Sequence, residues 1–507
     1  MRSTVRKYSS STRRSLLICI RVRCGEFRES IGRMNILIIS TNRNAYPVPV
    51  LPAGACMVAE AAERAGHTVS LLDLMFLADP LQAIRAVLGK TMYDVIGFSV
   101  RNIDNIDMGA PRYFINELIA LIDTIRRSAN TPLVLGGAAL MVMPEEIMRA
   151  TGITCAVIGD SEVVFPRLVE KLARNEPWED LPGVASMVGG KFRTNPTAPG
   201  LSHTCAGPDY GRWLNMKSYR SHLSTIPLQT KLGCRFQCVY CTYRKIEGNA
   251  YQLSDPGSMA ETAFRYASSG FRDIEFVDNV FNFPYNHALA VCEALIRSKH
   301  RARLQSIELN PVSFDHHLLA VMARAGFVGI GLTVESASDQ VLSGLRKGFF
   351  AREVYAAAEV VKCNQLPCLW IFLLGGPGET RNTVRETLRF AEKFIRPQDA
   401  ALFNIGIRMY PGTELETIAR RQGVLSLPSG SMLEPLFYIS PEVDADWTMG
   451  QVKQSMNSHM NFMNGDSMSF SYLPQISRLG HRLGLKPPLW RYTRYIRRGL
   501  RSVGMRV

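Results

Sequence analysis

Cys234, Cys238 and Cys241 lie in the run Thr-Lys-Leu-Gly-Cys-Arg-Phe-Gln-Cys-Val-Tyr-Cys. This CxxxCxxC spacing sets three thiolates within eight residues, enough to hold three irons of a four-iron, four-sulfur cluster and leave the fourth open to chemistry. A structural zinc site is the competing use of such cysteines. It needs a fourth ligand and usually a second CxxC pair, and the chain has no such pair. The other cysteines (Cys19, Cys24, Cys56, Cys155, Cys205, Cys292, Cys363, Cys368) are scattered and read as small apolar fillers of the core.

A cluster must be held by a framework, and the flanking sequence supplies one. Residues 225–231, 273–277, 306–309, 329–334, 369–374 and 401–409 read as strands, with helical patterns between them. Six such units predict a partial (β/α)6 TIM-type barrel with its chemistry at the carboxyl ends of the strands. Those ends carry Asp278-Asn279, Glu335-Ser336 and Gly375-Gly376-Pro377-Gly378-Glu379. Acidic or carbonyl acceptors suit an ammonium donor, and glycines let backbone approach a ligand closely. Any one of these turns can be an ordinary helix start; their order at successive strand ends favours a site.

The first half alternates similarly. Strand-like runs at 35–40, 67–73, 93–100, 132–135 and 155–158 are separated by helical patterns at 53–66, 81–88, about 110–127 and from 144. This predicts a doubly wound, Rossmann-like parallel sheet that binds its ligand at the carboxyl ends of the strands. The turns there contain Ser40, Thr41 and Asn42; Ser99 and Arg101; Gly136 and Gly137; and Asp160 and Glu162. Small and polar residues in every turn suit a large, polar-fringed ligand.

The cysteine spacing, with Tyr240 just before the third cysteine, resembles the radical S-adenosylmethionine (SAM) superfamily. The resemblance implies that SAM chelates the open iron and that the reduced cluster cleaves it to methionine and a 5'-deoxyadenosyl radical. It places Tyr240 near the adenine, Asp278 and Asn279 near the methionine amine, Glu335 on the ribose hydroxyls, and the Gly375-Gly376 turn against the cofactor. Arg235, where many relatives have Pro, and Ala337, where Gly is frequent, depart from the pattern without touching an expected ligand.

A doubly wound domain ahead of this motif is similar to that of the cobalamin-dependent radical enzymes, which implies cobalamin at the four turns above. Many cobalamin domains give cobalt a histidine through DxHxxG. The nearest string here, Asp315-His316-His317-Leu318-Leu319-Ala320, ends in Ala and lies in the second half; it reads as a helix start capped by Asp315. The implied cobalamin therefore has no protein histidine. Methylthiotransferases resemble this layout too, but their leading domain carries three cysteines for a second cluster, and here it has only Cys56 and Cys155.

The net charge of +15 is concentrated at the ends: residues 1–33 carry nine Lys/Arg and two Glu, and residues 467–507 nine Lys/Arg and no acid, leaving 15 − 7 − 9 = −1 between them. A near-neutral catalytic body argues against nucleic acid as partner. The expected divisions are a basic leader (1–33), with Met34 as an alternative start, a cobalamin-binding domain (34–170), an irregular linker (171–226), a radical SAM domain (227–426) and a mostly helical C-terminal region (427–507) with a basic tail. No apolar run is long enough to cross a bilayer, and many free cysteines suit a reducing, cytoplasmic compartment.

The resemblance implies an enzyme with a 4Fe-4S cluster, SAM and cobalamin, a methyltransferase acting on an unactivated carbon of a small molecule. A low-potential donor such as flavodoxin or ferredoxin would reduce it. A cyclase or ring-rearranging enzyme using the same cofactors, and a non-catalytic cobalamin or redox sensor, are the alternatives. For the tail, a solvated or fold-capping helix stands beside contact with an anionic membrane surface.

Overall fold

The structure, a computed structural model, describes residues 32–196, 207–426, 432–465, 472–502 and 504. All but the last two residues of the leader 1–33 lie outside these.

The first domain forms as expected. Strands β1 (Asn35–Ser40), β2 (Thr68–Asp73), β3 (Val95–Ser99), β4 (Leu133–Gly136) and β5 (Cys155–Val157) run parallel in the order β2-β1-β3-β4-β5. Ile36 to Ile39 are buried on both faces of the sheet, as parallel strands covered by helices require. The helix Pro80–Leu88 starts where Asp79 accepts from Gln82 N at 2.9 Å, with Pro80 in its first turn. The helix expected from about 110 begins only at Ile115, because residues 101–114 form a loop closed by an Asp104–Tyr113 bridge.

The linker differs from expectation. β6 (Val184–Val188) and β7 (Lys191–Thr194) extend the first sheet as an antiparallel hairpin beyond β5. Its turn is Gly189-Gly190, both at positive φ, the pair a two-residue hairpin turn favours. Two short helices, Tyr210–Trp213 and Met216–Ser221, follow. The strands are short and β7 is largely exposed, so no apolar period announced them.

The second sheet is the barrel. β8 (Ile226–Leu228) leads to β9 (Lys231–Leu232) and β10 (Gln252–Leu253), an antiparallel pair bracketing the cysteine loop. β11 (Asp273–Phe276), β12 (Arg303–Leu309), β13 (Phe327–Glu335), β14 (Cys368–Leu374) and β15 (Ala400–Ile405) complete the expected six. The small pair β16 (Ile407–Arg408) and β17 (Phe437–Tyr438) follows, and then β18 (Phe462–Asn464), a seventh parallel strand beside β15. The order is β18-β15-β14-β13-β12-β11-β8. β18 was not anticipated in the mostly helical region 427–507: the helix Ala445–Ser458 ends before it, and the fully buried Phe462 packs edge-on against Phe403, centroids 5.5 Å apart.

The domains share their cores. Leu51, Cys56 and Met75 join the barrel core, while Val239, Leu345 and Met409 join that of the first domain. Arg408 Nε donates to Asp104 Oδ2 at 2.9 Å across the boundary, both side chains 1% exposed. Another Arg408 N–H reaches the Met432 carbonyl at 2.8 Å. A pair so buried stabilises little relative to apolar packing, but breaking it leaves an uncompensated charge, so it fixes how the domains face each other.

Candidate active site

The cysteine loop begins at Gly233, where φ is +87° and a Cβ would run into the Ala250 carbonyl. It is anchored at Cys234 N to Gly248 O (3.2 Å), at Val239 N to Leu345 O (3.1 Å) and by Leu415 N to Val239 O (2.9 Å). Burial raises the Cys234 and Cys241 thiols, Cys241 to about 12, so metal binding must displace their protons.

All three cysteines are unbridged and within electrostatic reach of one another. Among the described residues no group of three His, Cys, Asp or Glu side chains converges as a single-ion site. In a cubane each thiolate would take a separate iron.

Tyr240 and Glu335, expected near SAM, are brought together. Glu335 Oε1 accepts from Tyr240 Oη at 2.8 Å and from Lys347 Nζ at 3.0 Å, and Lys347 Nζ lies 3.3 Å from the Tyr240 oxygen. Glu335 ends β13 at φ +62°, a left-handed conformation that costs a non-glycine residue about 1–3 kcal/mol and clusters at functional sites. Its Oε2 has no partner among the described residues and remains able to accept from a hydroxyl. Burial alone would depress the Lys347 ammonium; Glu335 with Cys238 and Cys241 outweighs it and drives the group upward. Lys347 thus places a fixed positive charge beside the thiols.

Asp278 and Asn279 take other work. Asp278, fully buried, accepts from Thr230 N (2.8 Å), Thr230 Oγ1 (2.9 Å) and Lys231 N (3.0 Å) and pairs with Lys231 Nζ (3.5 Å). Its carboxylate holds the strand that feeds the loop. Asn279 donates to Glu247 at 2.6 Å, and Glu247 also receives Gly233 N (3.2 Å) and Gln229 (2.9 Å), a clamp across the loop. Gly375, at φ +92°, packs against Ile439, and Gly376 against Leu345, which anchors Val239.

The first-domain turns form a row. Register aligns Ser40 with Ser99 and Ser99 with Gly136 on adjacent strands. Thr41 N and Oγ1 both donate to the Ser99 carbonyl, at 3.2 and 3.1 Å, and buried Asn42 accepts from Asn44 N at 3.1 Å. Gly137, at φ +98°, lies so close to Val100 that a Cβ would stand 2.5 Å from its oxygen. The only histidine of residues 34–170 is His67, whose Nδ1 receives Met34 N at the opposite end of the sheet, so none stands at the row. Small side chains and exposed backbone suit a large polar ligand. Asp160 starts the helix Ser161–Ala173 through its carbonyl. Glu162, raised to about 7 by burial and then Asp160, faces a cavity of about 480 Å³ with Glu60, Arg64 and Arg265 rather than the row.

Row and loop face each other. Arg101, exposed and without hydrogen bond or ion pair among the described residues, lies within electrostatic reach of Tyr243 beside the cysteine loop. The helix Ala138–Val142, following Gly137, packs on the helix Tyr243–Glu247.

Two residues escaped sequence reasoning. Lys347 sits in Leu-Arg-Lys-Gly, which reads as a solvated turn. Glu308, near the end of β12, has no hydrogen bond or ion pair on its carboxylate among the described residues and lies within electrostatic reach of Glu335, Lys347 and Tyr243. Burial, then Glu335, raises it to about 8. An acid in the apolar run Ser-Ile-Glu-Leu was the available signal.

Comparison with known proteins agrees with this layout. Residues 229–391 match the Radical SAM superfamily, and residues 40–169 the B12 binding domain. An uncharacterized methyltransferase of Pyrococcus horikoshii is 26% identical over 72% of this chain and 77% of its own. The tryptophan 2-C-methyltransferase of Streptomyces laurentii is 23% identical over 73% and 72%. The fold matches that of TsrM from Kitasatospora setae, a radical S-adenosylmethionine methyltransferase solved with cobalamin and a 4Fe-4S cluster, at TM-score 0.81 and 20% identity over 93% of this chain and 100% of that one.

Proposed function

The chain belongs to the cobalamin-dependent radical SAM enzymes, and we propose that it is a methyltransferase acting on an unactivated carbon of a small molecule. The observation that carries this reading is the facing of the first-domain row and the cysteine loop, because a methyl carrier and a radical source must meet one substrate between them. The two relatives above, both named methyltransferases, support it.

When bound, the cluster supplies low-potential electrons, SAM the methyl group and the radical precursor, and cobalamin the means of passing the methyl on. The protein binds and orients. Cys234, Cys238 and Cys241 would hold the cluster. Tyr240, the free oxygen of Glu335 and the Gly375-Gly376 turn would hold SAM, with Asp278 and Asn279 acting through the loop they support. Ser40, Thr41, Asn42, Ser99, Arg101, Gly136 and Gly137 would seat cobalamin, with Asp160 at its margin. Glu308, protonated at neutral pH, would hold a proton facing the substrate. A flavodoxin or ferredoxin would deliver electrons.

The test is anaerobic reconstitution with iron, sulfide, SAM and cobalamin, followed by mass spectrometry. Methyl transfer gives S-adenosylhomocysteine and 5'-deoxyadenosine together with a methylated product. 5'-Deoxyadenosine with little S-adenosylhomocysteine would instead mean cyclisation or rearrangement, and no SAM turnover a sensor.

A further inference from the structure

The C-terminal segment crosses the amino-terminal mouth of the barrel, opposite the cysteines. The helix Leu473–Arg482 packs on Met216–Ser221, just ahead of β8. Trp490 lies against Gly329 near the start of β13, Arg494 reaches the Pro397 carbonyl ahead of β15 at 3.2 Å, and Arg497 binds the Phe462 carbonyl of β18 at 2.6 Å. Some of its cations are therefore absorbed in holding the segment down.

Others are not. Arg478, Arg482, Lys486 and Arg498 are exposed and form no ion pair among the described residues. Arg478 and Arg482 make one row along the helix, and Leu479 and Leu483, 57% and 73% exposed, make the adjacent one. Tyr472, 57% exposed, stands at the head of the helix. The barrel adds exposed Arg272, Arg301 and Arg324, the residues that lead into its strands at this end. Of the acids at this end, Asp273 pairs with Arg303, Asp399 with Arg396 and Glu359 with Lys362, while Glu392 accepts from the Ser455 hydroxyl.

We propose that this face lies on an anionic membrane surface, with Leu479, Leu483 and Tyr472 entering the headgroup boundary and the arginines pairing with lipid phosphates. Rows of cations beside exposed leucines on one helix are what an interfacial helix requires, and with no acid in residues 467–507 nothing in the segment opposes it. Contact would be peripheral, since among the described residues no helix is long and apolar enough to cross a membrane. An acidic redox protein fits less well. From Gly329 to Glu335 the strand rises six residues, about 20 Å at 3.3 Å each, so a donor docked here would be separated from the cysteines by the barrel core. The orientation would leave the cysteine end of the barrel facing away from the bilayer.

Cosedimentation of the full-length protein with phosphatidylcholine vesicles, with and without phosphatidylglycerol, tests this. The protein should pellet only with phosphatidylglycerol present and be released by salt. R478E/R482E and L479S/L483S should each weaken binding by about tenfold or more while SAM cleavage is unchanged, showing an intact fold. Failure to pellet with anionic vesicles overturns the proposal. So does undiminished binding of both variants, which would move the contact to another segment. Binding of an acidic flavodoxin in place of vesicles, or a dimer that the leucine variant dissolves, would assign the face to that partner instead.

Discussion

The two halves of the site are built by different means. In the barrel, specific side chains hold one another: Tyr240, Glu335 and Lys347 share one carboxylate oxygen, and Asp278 accepts three hydrogen bonds below the cysteine loop. In the first domain, backbone register aligns Ser40, Ser99 and Gly136, Thr41 binds the Ser99 carbonyl, and Arg101 stands free. A side-chain network fails when one member is lost, because its partners are left buried and unpaired. A backbone cradle tolerates changes of side chain and fails where a side chain must not be. Substitutions should therefore divide sharply between the halves.

The largest effect is expected at the thiols. Cys238→Ala should abolish the cubane absorbance and SAM cleavage, a loss of about a thousandfold or more, while cobalamin binding persists; loss of both would mean that the halves do not fold separately around their ligands. Lys347→Met comes next. It leaves Glu335 as an uncompensated buried charge at a strained backbone, and breaking such a pair costs about 3–5 kcal/mol. A large fall in melting temperature, together with weakened SAM binding, is the expected result. A stability unchanged from wild type would show that the pair contributes nothing to the fold.

The same contrast explains what the sequence made legible. Cys234, Cys238 and Cys241 are close in the chain and chemically distinctive, so the loop could be read directly, and Glu335 could be placed because it ends an apolar strand. Asp278 was placed at its strand end and near the methionine amine; its contacts with Thr230 and Lys231 could not be read, since only the fold brings them onto its carboxylate. Lys347 and Glu308 act through contacts between strands and loops distant in sequence, which leave no local period. The alternation of strands and helices revealed both sheets. The β6–β7 hairpin and β18 were missed because each is short and is stabilised by joining an existing sheet edge rather than by its own pattern.

Glu308→Gln should cost roughly 100-fold or more in product formation with SAM and cobalamin binding retained. It also carries a pH signature. Because burial lifts Glu308 to about 8 from an unfolded value of about 4.3, its contribution to stability is fully present below the unfolded value and is lost as pH rises toward the folded one. Wild-type stability should therefore decline between about pH 5 and 8 by an amount missing from the glutamine variant. Parallel melting curves across that window would show that the carboxyl is solvated and already ionised.

The smallest effects separate cradle from network within the first domain. Gly137→Ala forces a side chain at φ +98° toward the Val100 backbone and should weaken cobalamin binding by about tenfold through displacement of the turn. Ser99→Ala removes only a hydroxyl: the Thr41 contacts go to the Ser99 carbonyl, which alanine keeps. Its effect on cobalamin affinity, followed by absorbance titration, should stay within about threefold, the scale of a modest single hydrogen bond. If Ser99→Ala proves as damaging as Gly137→Ala, the hydroxyl itself grips the ligand, and the first domain recognises cobalamin by side-chain chemistry as the barrel does its cluster.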